Sequence, residues 1–259
     1  MTTAVLAARG NIIENQQFTD PTTQDFVMRT RFESEIELTK VREILENGLG
    51  QFKPKLSLRS VAKQKKALIL VTKESHCLRD LLYLQELGEL PVEIPAVVSN
   101  HSDLKTLVES HGIKFIDQSK LAKADAEAEI SKLVTELEID LVVLARYMQI
   151  LTKEFCQKMS GRIINIHHSF LPGFKGAKPY HQAHERGVKI IGATAHFVTA
   201  DLDEGPIIEQ DVAHVNHSAT PEEMIALGRD IERRVLARAV KLYAEDRIFI
   251  VGHRTVVFA

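Results

Sequence analysis

ALILVTKESHCLRDLLYLQELGELPVEIPAVVS, residues 67–99, sets an apolar run of strand length before an amphipathic helix and then a second apolar run. Short, continuous apolar runs separated by helices are the pattern of strands buried on both faces of a parallel sheet. The rhythm continues outward. A helix over DLKTLVESH leads to a strand at Lys114–Ile116, and a helix from about Ala122 to Leu137 leads to the apolar strand DLVVLA at 140–145. A shorter helix near Lys153–Met159 precedes RIINIH at 162–167. The fold class is therefore α/β, a mostly parallel Rossmann-like sheet with helices on both faces. GATAHFV and GPIIEQDV follow as strands. A helix then runs from about Pro221 to Ala244, with Thr220 as its N-cap ahead of Pro221 and Glu222. IFIV and TVVF close the chain as a small hairpin.

Before residue 67 the pattern differs. NIIENQQF and DFVMRTRFE read as strands, and Ile36, Leu38, Val41, Ile44 and Leu45 have helical spacing. Residues 1–52 are thus expected to form a small α+β domain. Residues 53–66, with Lys53, Lys55, Arg59, Lys63, Lys65, Lys66 and Pro54, read as a solvated linker, and 67–259 as the catalytic domain.

The chain has 259 residues and is 44% hydrophobic, ample for a large core. A formal net charge of -2 gives no reason to expect nucleic acid or an anionic membrane as partner. Two separated cysteines, Cys77 and Cys156, exclude a disulfide framework and point to a reducing compartment. No targeting segment and no apolar run of about 18 residues is visible, so a cytoplasmic protein with no membrane partner is expected.

Ligands of open α/β sheets bind beyond the carboxyl ends of the strands, so polar residues at strand exits are the candidates for chemistry. In RIINIHHS, strand alternation sends Asn165 and His167 to one face and Ile166 to the other. An amide and an imidazole on one spot can stabilise the oxyanion of a carbonyl turning tetrahedral; equally, they can be a buried hydrogen-bonded pair. TADLDEGPII carries three acids in a loop closed by Gly205 and Pro206. There Asp203 can serve as a general base, or the loop can be a solvated turn. LPGFKGAKPY, residues 171–180, reads as a restrained irregular loop. The first strand is followed by TKESHC rather than G-x-G-x-x-G, which disfavours a dinucleotide site, and the Walker pattern is absent. His181 and His184 lack a clear third ligand, since adjacent His167 and His168 should face opposite ways, so no metal is expected. Cys77 begins a helix, where a thiol pKa can fall, although a packed cysteine is the simpler expectation.

Read as one stretch, NIHHSFLPGFKGAKPYHQAHERGVKIIGATAHFVTADLDEGPIIEQDV (residues 165–212) resembles the formyltetrahydrofolate-dependent formyltransferase superfamily, and within it the formyltetrahydrofolate deformylases. The resemblance extends over 67–259. It implies Asn165, His167 and Asp203 as catalytic residues with His196 in support. Arg146, Tyr147, Met148, Gln149, Ile150, Leu151 and Gly205 are implied to contact the folate. His168 stands where glycinamide ribonucleotide transformylases typically have proline, which favours the hydrolases. The implied reaction is hydrolysis of 10-formyltetrahydrofolate to formate and tetrahydrofolate, with no cofactor beyond that substrate, supplying formate to purine synthesis and balancing the one-carbon pool. Its rivals are formyl transfer to an amine and a non-catalytic folate or amino-acid sensor. Residues 1–52 resemble a shortened ACT domain beginning inside its first helix, and that resemblance implies a homo-oligomer.

Overall fold

The structure, a computed structural model, describes residues 1–171, 173 and 179–258. It divides into two compact units, residues 1–64 with Phe258, and residues 65–257.

In the first unit, α1 (Thr2–Ala7) and α2 (Leu38–Leu49) accompany an antiparallel pair, β1 (Asn11–Thr19) and β2 (Phe26–Glu33). α1 is an element that the strand-and-helix periodicity did not show. Val5, Ala8, Val41 and Leu45 form the core of this unit, and Leu56 and Leu58 pack against it. Those two leucines draw part of the basic stretch out of the solvated state expected for it.

The second unit is built on a seven-stranded sheet ordered β5-β4-β3-β6-β7-β8-β9. Its strands are β3 (Lys65–Val71), β4 (Val92–Ser99), β5 (Lys114–Asp117), β6 (Leu141–Leu144), β7 (Ile163–His167), β8 (Ile190–Phe197) and β9 (Ile207–His214). The first five are mutually parallel, whereas β8 is antiparallel to both neighbours. β3 opens at Lys65 rather than at residue 67, because Lys65 and Lys66 already pair with Val92 and Glu93 of β4; the Lys65 ammonium meanwhile donates to the Tyr243 carbonyl oxygen at 2.7 Å and pairs with Asp246.

Strand alternation splits this core into two layers. Leu68, Leu70, Val142 and Leu144 face one way, against Ile130 and Leu133 of α5 (Lys123–Glu136) and Phe155 of α6 (Lys153–Lys158). Ile69, Val71 and Val143 face the other way, against α3 (His76–Glu86) and α8 (Pro221–Ala244). Helices thus cover both faces. Each buried Leu, Ile or Val stabilises the fold by about 1.5–3 kcal/mol, which is why the unbroken apolar runs become central strands. A short helix, α4 (Lys105–Ser110), joins β4 to β5, and α7 (Pro179–Glu185) precedes β8. At α8, Thr220 accepts from the Glu223 backbone N–H at 3.2 Å while its own N–H donates to the Glu223 carboxylate at 2.8 Å, a capping box. β10 (Ile248–Val251) and β11 (Arg254–Val257) form the terminal hairpin. Among the described residues no helix is long and apolar enough to cross a membrane.

The chain runs outward from β3 to β4 and β5, then returns to place β6 on the other side of β3. Crevices open at such reversals, beyond the carboxyl ends of the strands.

Candidate active site

A cavity of about 260 Å³ lies beyond β6, walled by Arg146–Leu151, by Asn165–His168, and by His196 with residues 198–203. Backbone pairing brings its polar groups together. Asn165 of β7 lies directly opposite His196 of β8, so both side chains emerge on one face of the sheet. His167, two residues on, shares that face.

The Asn165 amide donates to His196 Nε2 at 3.2 Å. The other ring nitrogen, Nδ1, lies 2.9 Å from the Phe197 carbonyl oxygen. A carbonyl can only accept, so Nδ1 carries the hydrogen and Nε2 is the acceptor for the amide. His196 is 2% exposed, and burial lowers its pKa against the opposing pull of that carbonyl and of Asp203. It is therefore neutral near pH 7, and its lone pair fixes which way the Asn165 amide points.

Asp203 closes the cluster. Its Oδ2 lies 3.3 Å from His167 Nδ1 and its Oδ1 lies 3.7 Å from His196 Nε2. The hydrogen bond from His167 lowers the Asp203 pKa, outweighing burial, so the carboxylate is ionised. Asp203 adopts a left-handed backbone, φ 56°. The next glycine explains how the loop returns so tightly: a Cβ on Gly205 would stand 1.7 Å from the Phe197 carbonyl oxygen, so only glycine fits there. His167 Nε2 is buried without a hydrogen-bond partner among the described residues. It is a donor or acceptor in reserve beside the cavity.

The segment 146–151 is tied down at several points. The Met148 backbone N–H donates to Thr72 Oγ1 at 3.0 Å, and the Tyr147 hydroxyl donates to Gln149 Oε1 at 3.1 Å. Met148 and Ile150 present exposed apolar surface, 61% and 59%, beside the cavity. Apolar side chains with a few fixed polar groups suit an aromatic heterocycle. Gly205 shapes the Asp203 loop and does not line the cavity wall.

One expectation changes and another is met. His168 does not face away from His167. β7 ends at His167, so strand alternation stops there, and the two rings lie 5.3 Å apart, both on the cavity. Burial and the Arg146 charge push the His168 pKa down to about 4. Cys77 is not an activated thiol: it is fully buried, and burial pushes its pKa well above the usual range. Pro172, Gly176 and Lys178 of the loop 171–180 lie outside the described residues.

The structure also assembles a group that the sequence did not suggest. His76, Tyr180 and Arg146 surround the buried carboxylate of Glu232. One sequence signal pointed to it: an acid at position 232 interrupts the apolar stripe of α8 formed by Met224, Gly228, Ile231, Val235 and Leu236.

Residues 65–240 match the formyl transferase family, so fold and site together define a formyl-transferase-type catalytic unit. Formyltetrahydrofolate deformylases of Escherichia coli and Synechocystis are each 46% identical, over 95% and 97% of this chain and 88% and 90% of their own lengths. The crystal structure of the Burkholderia mallei formyltetrahydrofolate deformylase superposes with a TM-score of 0.95 at 46% identity, covering 100% of this chain and 93% of that one. The chain belongs to the formyltetrahydrofolate deformylase family.

Proposed function

We infer that this chain is a hydrolase that removes the formyl group of 10-formyltetrahydrofolate, giving formate and tetrahydrofolate. The observation that carries the reading is the convergence of Asn165, His167, His196 and Asp203 on one cavity, in a chain of the deformylase family.

The segment Arg146–Leu151 holds the folate and presents its formyl carbon to the cluster. Water attacks that carbon while Asp203 takes the water proton, and the carbonyl oxygen becomes an oxyanion. The free N–H of the Asn165 amide and an N–H of the His167 ring stabilise it. Collapse breaks the carbon–N10 bond, and the proton passes to N10 as the amine leaves. His196 orients the Asn165 amide. Donors already held in place pay no reorganisation cost as charge develops. In this reading the chain supplies the base and the oxyanion donors and water is the co-reactant, with no metal or other cofactor invoked.

His168, neutral and packed beside His167, fills the space through which an amine acceptor would approach, which leaves water as the acceptor. Residues 1–52 are read as an ACT-like regulatory module and the protein as a homo-oligomer. Formate released here would serve purine synthesis.

The test is incubation of the purified protein with 10-formyltetrahydrofolate and no amine. Steady formate release is expected. Release that depends on an added amine would make the protein a transferase, and tight folate binding without turnover would make it a sensor.

A further inference from the structure

Glu232 takes no part in the chemistry above, yet it is a charged group at 1% exposure in the middle of α8. A buried carboxylate persists only where its charge and lone pairs are met. Here His76 Nε2 lies 2.8 Å from Oε2, the Tyr180 hydroxyl donates to Oε1 at 2.8 Å, and Arg146 Nε lies 3.5 Å from Oε2. Burial alone would raise the Glu232 pKa. The His76 hydrogen bond, the Arg146 charge and the Tyr180 hydroxyl outweigh it and hold the group ionised.

Two other readings fit less well. Glu232, His76 and Cys77 offer donor atoms within 4.8 Å of one another, a spacing that can hold a metal ion. The carboxylate, however, already accepts hydrogen bonds from His76 and Tyr180, and a metal cation would have to sit against the Arg146 guanidinium. A purely structural pin between helices is the second. It does not account for the choice of Arg146, the first residue of the cavity wall, as a partner.

Arg146 is unusual in its own right. It leaves β6 in the left-handed region, φ 64°, which a long side chain occupies only when its surroundings hold it there. Its side chain is 16% exposed and reaches back to α8, while Thr72 anchors Met148 two residues further on. The start of the wall segment is therefore held at two points, by Thr72 just past the end of β3 and by α8 through Glu232.

We propose that Glu232 is a positioning residue for folate binding: its carboxylate holds the Arg146 guanidinium and thereby sets the course of the cavity wall 146–151. This rests on the reading of that segment as the folate contact. Because Glu232 touches no reacting atom, its loss should act on affinity and spare the chemical step.

The experiment is a double-mutant cycle of Glu232→Gln and Arg146→Ala in the full chain, reading KM, kcat and tetrahydrofolate affinity by calorimetry. Each single variant should raise KM and weaken product binding about tenfold, with kcat within about threefold of the parent. The double variant should be no worse than Arg146→Ala alone, since both remove one link. Losses that multiply, or a fall in kcat at unchanged KM, overturn the proposal. An Arg146→Ala variant with unchanged KM and product affinity also overturns it, and identifies the reading of 146–151 as the step that failed. Should Glu232→Gln not fold, Tyr180→Phe removes one hydrogen bond to the carboxylate and keeps the ring. A KM raised about threefold, with no further rise in the Arg146→Ala background, supports the proposal; no rise in either background overturns it.

Discussion

The Asp203 carboxylate stands 3.3 Å from His167 Nδ1 on a loop that leaves and rejoins the sheet within a few residues, so one hydrogen bond sets both the charge of the base and the tilt of the ring. Replacing the carboxylate by an amide keeps the shape and removes the base. Asp203→Asn should lower formate release about 10²–10⁴-fold, with tetrahydrofolate affinity within a few-fold of the parent. Steady-state formate detection beside calorimetric product binding checks it, and retained turnover would remove Asp203 from the mechanism.

The lowered pKa of Asp203 has a sign that the pH profile can test. A carboxylate depressed by its partner is ionised throughout the range above its ordinary value of 3.8 and is lost only below it. An acid limb in kcat/KM above pH 5 therefore belongs to another group. It should persist unchanged in the residual activity of Asp203→Asn, whereas a limb that disappears there would place the Asp203 pKa far higher than its surroundings dictate.

Asn165 is expected to act through its amide hydrogen rather than through packing. Asn165→Ala removes an oxyanion donor and leaves His196 Nε2 without its partner. Loss of one such donor costs about 10²–10³-fold in kcat with little change in KM. Asn165→Asp should fare no better, because an acceptor replaces the donor and a second negative charge joins Asp203. An Asp variant near parental activity would exclude the donor role.

His168 makes the stability of the fold pH-dependent. Its pKa is lowered from 6.5 to about 4, so between those values the unfolded chain binds a proton that the native state does not. Stability should accordingly fall as pH drops from 6.5 toward 4, by up to about 1.4 kcal/mol per pH unit for this group. His196 is shifted in the same direction by burial. Urea titrations at pH 7 and pH 4.5 should show a smaller difference for His168→Gln than for the parent; an equal difference would contradict the burial of the ring.

Gly205→Ala should disable the site without touching a reacting group. The added methyl would stand 1.7 Å from backbone oxygen, so the loop must move and Asp203 with it. A loss of about 3 kcal/mol or more in stability and a collapse of turnover are expected from a backbone clash of this kind. Thermal unfolding together with formate release checks both.

The parallel sheet was legible because strands buried on both faces leave continuous apolar runs that no exposed element tolerates. The length and cap of α8 were legible because Thr220, Pro221 and Glu222 act locally, although the capping partner is Glu223. Asn165 and His167 were legible as partners, since two residues apart on a strand always share a face. α1 was legible only through the resemblance of residues 1–52 to a domain with a helix at that place, because six residues give too little periodicity to read. The neighbouring position of His168 escaped because alternation holds only inside the strand, and the strand stops at His167.

By itself, then, the sequence determined the elements, their burial and the pairing of residues within one strand, because those follow from short-range periodicity and local capping. Tertiary structure alone decided what stands opposite what. The register of β7 against β8 brings Asn165 to His196, and the left-handed turn at Asp203 swings its carboxylate onto His167. The packing of α8 over the sheet sets Glu232 against Arg146. Each of these joins residues far apart in the chain, and such contacts depend on the summed packing of the whole sheet rather than on any one segment.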